Sequence, residues 1–512
     1  MRWILVWKRD DQGNKKAKAR CVILGYMDPK YAERQTAAPT MSRTTRQLLL
    51  VISSALGFRV AKGDVSGAFL QGREYQGESY VIPTDEICIG MGLSPGAITR
   101  LKKACYGLVD APLEWYLTVS DFLISIGFSR CVTDPCCFKS VSQDGRLVGL
   151  ISGHVDDFLF CGRESDQTWT NLCDQIRKKF DWGTWEWDNF TQCGVQIKKR
   201  PEGGYEMNQS QYLEDLKEIS ICSERRREPS SLTNDREKTQ LRAALGALSW
   251  CAQQTSPQIG AAVGLLLSRV TTSTVSTLLE TNKLIYKTKC DKKHKMLIHV
   301  HDPQDLLVAC WADASVQNRV DGKSTQGILI GITSKRLLAG DLCEISPVAW
   351  NSTKITRQCR SPGAAECLAT INGEDQLFAV RLQLSEMLGT QIRVRQAASF
   401  VKQVPAVLVT DSTNVFDRMK STVYVPKGPE QRTALELIGL KEALEETELV
   451  IRWVHSHAQL ANSLTKEGEG QELDRFYQLG QRWRIVQDPQ MQSTRSRKKQ
   501  GLDVLEHCGS KG

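Results

Sequence analysis

A chain of 512 residues exceeds what one ordinary core organises, and at roughly 150 residues per domain it divides into about three. Hydrophobic residues at 41% and charged residues at 24% exclude wholesale disorder and fit a globular chain with much buried apolar surface. The 67 Lys and Arg against 58 Asp and Glu leave a formal charge of +9, which favours a polyanionic partner without identifying one. The 17 cysteines are scattered singly apart from Cys136-Cys137, form no C-x-x-C pair and read as reduced, intracellular thiols. The apolar run within Met1–Lys8 is too short for a signal peptide, and no later run approaches the roughly 18 residues of a membrane helix, so no membrane route is indicated.

In chain order, basic Lys15 to Arg20 leads into a strand-like run, Cys21-Val22-Ile23-Leu24. Leu48, Leu49, Val51, Ile52, Ala55 and Leu56 fall at helical spacing within 42–56, with Gly57 just past the end, and a strand follows from Phe58 to Val65. Two apolar runs around Asp156-Asp157 predict a β-hairpin over 147–162. A helix is expected over 168–180, a strand–turn–strand over 195–207 and a helix over 211–219. The charged, aperiodic stretch 222–235 reads as a linker, and helices resume over 240–286. From Leu306 the order becomes strand (306–312), strand (327–332), strand (347–351), helix (362–388), strand (406–410), helix and strand (449–454), an α/β unit. The last residues, with Arg495, Arg497, Lys498 and Lys499, read as a solvated basic tail.

Asp64 ends one predicted strand, and Asp156 and Asp157 sit at the hairpin turn. Such carboxylates supply the hard oxygen ligands that two Mg²⁺ ions need in phosphodiester synthesis. Taken alone, an Asp-Asp pair between apolar runs is more often a solvated turn.

Lys18-Ala19-Arg20, Gly63-Asp64-Val65-Ser66-Gly67-Ala68-Phe69-Leu70, Cys105-Tyr106-Gly107-Leu108-Val109-Asp110-Ala111-Pro112 and His154-Val155-Asp156-Asp157 occur in this order. Together they resemble the reverse transcriptase motifs of copia-type LTR retrotransposon Pol polyproteins. Trp115-Tyr116, Gly127-Phe128 and Thr133-Asp134-Pro135-Cys136 fit the same pattern. The resemblance implies a right-hand polymerase of fingers, palm and thumb, with Asp64, Asp156 and Asp157 binding the metals. Lys18 and Arg20 would pair with the incoming triphosphate, Phe69 would exclude a ribose 2′-hydroxyl, and Tyr106 and Gly107 would lie beneath the nucleotide. Without the motifs, Phe69 and Tyr106 are packing residues and Lys18 and Arg20 a solvated charge run. Two departures stand out: His154 replaces an aromatic residue, and Val109-Asp110 replaces Lys-Gln, placing an acid near a phosphate-binding site.

The likeness continues through Gln192–Ile197, Met207–Leu213 and Leu245–Trp250, which resemble thumb and connection and would hold a template-primer duplex by its phosphates. Lys198, Lys199 and Arg200 are candidates for that contact, with an ordinary exposed strand end as the alternative.

A second set of acids consists of Asp313, Glu366 and Asp411, each at an element end; Ser361-Pro362 predicts the N-cap and first residue of the helix carrying Glu366. Trp311–Ser315, Ser324–Gly327, Ala364–Ala369, Thr410–Asn414 and Gln459–Lys466 resemble the copia ribonuclease H domain, in which two metals hydrolyse the RNA of a hybrid. The family's last motif carries an Asp where this chain has Asn462, so Asn462 would stand in the fourth metal-ligand position without its charge, leaving the hydrolytic site incomplete and the expected ribonuclease H activity impaired. Glu467 and Glu469 are alternative donors if the chain turns back through Gly468 and Gly470.

The expectation is therefore an α+β multidomain chain: reverse transcriptase fingers and palm (1–165), thumb and connection (166–300), a ribonuclease H-like domain (301–470) and a basic tail (471–512). The resemblance implies an RNA-directed DNA polymerase using deoxynucleoside triphosphates, an RNA template, a DNA or RNA primer and an RNA–DNA hybrid. Two Mg²⁺ ions per site are implied, with Mn²⁺ as a substitute. A cytoplasmic particle is the implied location, with the nucleus as alternative, and oligomeric state is left open. No protease signature, zinc knuckle or integrase pattern occurs, as expected of the polyprotein's C-terminal part. The rivals are a catalytically inactive nucleic-acid-binding remnant and, with less support, a cellular ribonuclease H with an unrelated N-terminal extension.

Overall fold

The computed structural model describes residues 1–9, 15–75, 78–291, 294–421, 431–468, 471–486 and 499–501. Two compact units are present: one formed by Met1–Ser42 and Arg59–Trp187, the other by Arg43–Phe58 and Asp188 onward.

In the first unit nearly continuous apolar runs, buried along most of their length, form the central strands of an antiparallel six-stranded sheet. Its order is Glu186–Trp187, Arg59–Asp64, Asp157–Gly162, Leu147–His154, Cys137–Val141 and Ser129–Arg130. Phe138, Ile151, Phe158 and Phe160 of this sheet pack with Trp115, Val119 and Leu123 of the helix Ala111–Ser125. The helix Gln167–Lys179 adds Trp169, Leu172 and Ile176 to the same core. Its seat is a pair of facing glycines, Gly149 and Gly162, directly opposed across two strands. A Cβ on either would lie 2.3 Å from the Trp169 ring, so only glycine leaves room for the indole. The expected boundary at residue 165 is thus displaced, because this helix closes the first core rather than opening the next element. Lys15–Val22 pairs antiparallel with Arg2–Arg9 in a separate exposed hairpin.

The second unit opens on the helix Arg43–Leu56, whose Arg43 guanidinium lies 4.0 Å over the Trp350 ring and whose Thr45 accepts from Gln383 at 2.7 Å. A four-stranded antiparallel sheet (Asn189–Gln192, Val195–Lys199, Tyr205–Asn208, Met296–Ile298) precedes and follows a helical core. Leu241, Leu245 and Leu248 of Asp235–Gln254, Leu266 of Gly260–Ser268, and Leu278 and Ile285 of Val275–Cys290 supply that core. The stretch expected to be a linker is folded: Arg225 pairs with Glu237 at 2.9 Å, Thr233 donates to the Ser273 carbonyl, and a short helix spans Ser223–Arg226. Arg225 ties the stretch to the helix that follows while its neighbouring charges stay exposed, and local periodicity reveals neither.

The third layer is a five-stranded sheet ordered Ser346–Lys354, Thr325–Ser334, Leu306–Ser315, Ala406–Thr410, Val450–Trp453. The first three strands are antiparallel, and the last two join in parallel. The helix Pro362–Met387 crosses it, with Gly373 against Ala312 allowing close approach. Residues 471–486 belong to this fold rather than to a tail. Arg482–Trp483 pairs with Cys343–Glu344, Trp483 is fully buried and donates to the Ala458 carbonyl, and the Gln481 amide bridges Leu297 and Ile345. Most of the remaining tail, including Arg495, Arg497 and Lys498, lies outside the described residues. Among the described residues, no helix is long and apolar enough to cross a membrane.

Candidate active sites

Asp64, the last residue of its strand, lies directly opposite Asp157 in an antiparallel register, which puts both side chains on one face of the sheet. His154 pairs with Asp157 and leaves Val155-Asp156 as a two-residue turn. Such a turn requires positive φ, which a β-branched residue resists, yet Val155 has φ 63°. The turn is tied down on two sides: Val65 N–H donates to the Asp156 carbonyl at 2.8 Å, and the buried Trp115 indole donates to the Val155 carbonyl at 2.6 Å. Burial, and then the charge of Asp156, hold the Asp64 carboxyl above its usual range, with Lys62 and Lys18 opposing. This crowding of like charge on hard oxygen donors fits a divalent cation.

The expected nucleotide residues gather around the same sheet end. The Phe69 and Tyr106 rings lie 5.1 Å apart. Ile23 N–H donates to the Tyr106 carbonyl at 2.7 Å, and a Cβ at Gly107 would fall 2.1 Å from the Ile23 carbonyl oxygen, so that crossing demands glycine. Lys18 and Arg20 are exposed on the preceding strand, and burial, then the Asp156 charge, raise the Tyr106 hydroxyl against the pull of Arg20. Asp110, the unexpected acid, is neutralised: Arg34 pairs with it at 2.9 Å and the Tyr75 hydroxyl donates to it at 2.7 Å. Arg34, 76 residues away in sequence, carried no signal of this role.

In the second unit, Asp313 lies within the strand Leu306–Ser315, two residues before its end rather than at it, and the parallel partner of that strand places Trp311 opposite Val409. Continuing that register sets Asp411 beside Asp313, and the Ser361-capped helix lays Glu366 over them. One carboxylate oxygen of each residue lies within 4.8 Å of the others. Among the described residues no other group of three His, Cys, Asp or Glu is drawn that tight, Asp64, Asp156 and Asp157 included. Burial, and then the charge of Asp411, push Asp313 up to about 7; Glu366 and Asp411 are raised as well, chiefly by burial. Glu366 Oε2 is buried with no hydrogen-bond partner. A buried, unsatisfied carboxylate oxygen beside two further acids fits a divalent ion.

Asn462 does not present a free amide to the triad. Its Oδ1 accepts from Lys466 Nζ at 3.1 Å, and its Nδ2 donates to the Ser456 carbonyl at 2.7 Å. The neighbouring acid is Glu472, which accepts from Ser463 at 3.2 Å and is raised by burial against the influence of Ser463, Lys466 and Asn462. Glu467 instead faces Arg269 at 3.7 Å, and Glu469 lies outside the described residues. Of the expected duplex contacts, Lys198 and Lys199 are exposed, and Arg200 is engaged with Glu202.

One carboxylate set lies on the antiparallel sheet of the first unit and another on the mixed sheet of the second. Residues 1–223 match the family described as reverse transcriptase (RNA-dependent DNA polymerase). The chain is 24% identical over 485 residues to the retrovirus-related Pol polyprotein from transposon RE1 of Arabidopsis thaliana, covering 91% of this chain and 30% of that protein. It is 27% identical over 183 residues to the Pol polyprotein from transposon TNT 1-94 of Nicotiana tabacum, covering 35% of this chain and 13% of that protein. Among solved structures, RNase H1 from Halobacterium salinarum NRC-1 matches at 16% identity and TM-score 0.21, covering 33% of this chain and 98% of that one. Over most of its length the chain is thus similar to copia-type retrotransposon Pol polyproteins, its residues 1–223 match the reverse transcriptase family, and it spans less than a third of the length of the RE1 polyprotein.

Proposed function

We propose that the chain is an RNA-directed DNA polymerase with an attached ribonuclease H-like hydrolase. The observation carrying the first part is the meeting of Asp64 and Asp157 across one strand pair, with Asp156 at the adjoining turn and Phe69–Tyr106 beside them. Asp64, Asp156 and Asp157 would hold divalent ions, which when bound activate the primer hydroxyl and offset charge on the leaving pyrophosphate. Lys18 and Arg20 attract the triphosphate of a deoxynucleotide, and Phe69 fills the space a ribose 2′-hydroxyl would need. The first unit then supplies palm and fingers, and the helical core of the second supplies thumb and connection, gripping template and primer.

Asp313, Glu366 and Asp411 would hold the ions that activate water against the RNA strand of a hybrid. Their spacing, the orphaned Glu366 oxygen and the mixed sheet order support that reading. Primer extension by the purified chain on an RNA template, with Asp156→Asn as the control, tests the first part. Extension lost in the variant supports it; a folded parent that never extends a primer with Mg²⁺ or Mn²⁺ favours the inactive remnant.

A further inference from the structure

Lys466 is held beside the triad by geometry that leaves little slack. The loop before it is pressed onto the sheet at Gly327, where a Cβ would lie 2.6 Å from Leu464 Cβ and 2.8 Å from the Ala461 carbonyl oxygen. The adjoining Thr465 hydroxyl donates to Asp313 Oδ2 at 2.5 Å, so the lysine backbone begins one residue from a triad carboxylate. Its ammonium reaches the neutral Asn462 Oδ1 at 3.1 Å and, among the described residues, forms no ion pair. An acid at 462 would clamp that ammonium; an amide only parks it.

The ionisable groups that sense its charge are all acids. Asp313, Glu366 and Asp411 form the triad on one side, and Glu472, held by Ser463, stands on the other. Burial drives all four carboxyls upward, and Lys466 acts against that rise at every one. Lys466 also lines a cavity of about 1200 Å³ shared with Lys283, Lys287, Ser463 and Asp474, which gives its four-carbon stem somewhere to go.

We propose that Lys466 is a built-in counter-ion of the Asp313–Glu366–Asp411 triad, parked on Asn462, which an incoming divalent cation must displace toward Glu472 and the open groove. The inference rests on reading the triad as a metal site. It explains how one buried and two half-buried acids coexist with a neutral residue where a fourth acid is expected: the lysine offsets their charge until a metal displaces it. Removing the positive charge should therefore tighten metal binding, the reverse of what loss of a supporting residue does.

The test is Mn²⁺ binding to the full chain, read as free Mn²⁺ by electron paramagnetic resonance, in an Asp64→Asn/Asp156→Asn background that silences the other carboxylate set. Lys466→Gln should bind Mn²⁺ on the order of tenfold more tightly than the parent, and Lys466→Arg, which keeps the charge, should stay within about twofold. Lys466→Met replaces the glutamine variant if circular dichroism shows that one unfolded. Equal or weaker binding in the uncharged variant, with binding abolished by Asp313→Asn, overturns the counter-ion and leaves the metal site standing. Undiminished binding in Asp313→Asn overturns the metal site itself and the counter-ion with it.

Discussion

Asn462 stands between charges of opposite sign, with Lys466 on its oxygen and Glu472 near its amide. A carboxylate there would add the charge that a four-acid site uses, but it would lose the donation to the Ser456 carbonyl and oppose Glu472. Asn462→Asp should therefore lower the Mg²⁺ requirement for cleaving a labelled RNA–DNA hybrid only modestly. In a Glu472→Gln background the same change should gain more, with a coupling of about 1 kcal/mol. Equal Mg²⁺ profiles in all variants would show that this position does not limit hydrolysis. If Phe69, whose ring lies against Tyr106, excludes a ribose 2′-hydroxyl as proposed, Phe69→Ala should raise ribonucleotide incorporation relative to deoxynucleotide by on the order of tenfold. Unchanged sugar selection in a variant that still extends primers would reduce Phe69 to packing.

At the scale of elements, most strands and helices were legible because their apolar periods are regular: the helix expected over 362–388 spans Pro362–Met387, and the strand expected over 406–410 spans Ala406–Thr410. What local pattern could not show was allegiance. Trp169 joins the first core only because Gly149 and Gly162 face each other across strands, and Arg225 makes a linker-like stretch part of a fold by reaching Glu237. The metal-binding candidates were legible through motif order, whereas Arg34 and Trp115 act through contacts distant in sequence. Trp115→Phe keeps an aromatic ring in place but removes the indole donor to the Val155 carbonyl, freeing a turn whose φ is unfavourable. Primer extension should fall by about tenfold or more in kcat, with the melting temperature changing little. A kcat equal to the parent's would mean that the turn holds itself.

His299 and His301 follow the strand Met296–Ile298 and are held near pKa 4 by burial. Their folded values lie below the unfolded value near 6.5, so between those limits the unfolded chain binds protons that the folded chain refuses. Stability is full above about pH 6.5 and is lost as pH falls toward 4, by about 3 kcal/mol for each imidazole. Glu344, whose carboxyl is lowered by Arg482 and the histidines against burial, acts in the same direction at lower pH. His301→Gln, which retains a donor for Ser346, should flatten the acid limb in urea unfolding between pH 7 and 4.5. An unaltered limb would place the acid sensitivity elsewhere.

At the scale of the molecule, two units with separate cores carry two carboxylate sets of different character. Asp64 is exposed at its strand end, where water and Lys62 moderate its charge, while Asp313 is fully buried within a triad and Glu366 has an unsatisfied oxygen. Unneutralised charge costs the folded state far more in the second setting than in the first, because the surrounding dielectric is lower and the oxygens lack solvent. A divalent cation binding only the folded triad must therefore recover more stability for the second unit than for the first. In calorimetry at pH 8 the chain should unfold in two transitions, one for each core. Chelation of divalent ions should lower chiefly the transition that Asp313→Asn makes insensitive to Mn²⁺, and the Asp156→Asn change should leave that sensitivity in place. At a ligand concentration of about 100 times Kd the shift corresponds to about 2.7 kcal/mol, which is several degrees for a unit of this size. If Mn²⁺ moves both transitions equally, or neither, burial of the triad is not what sets the metal dependence of the fold.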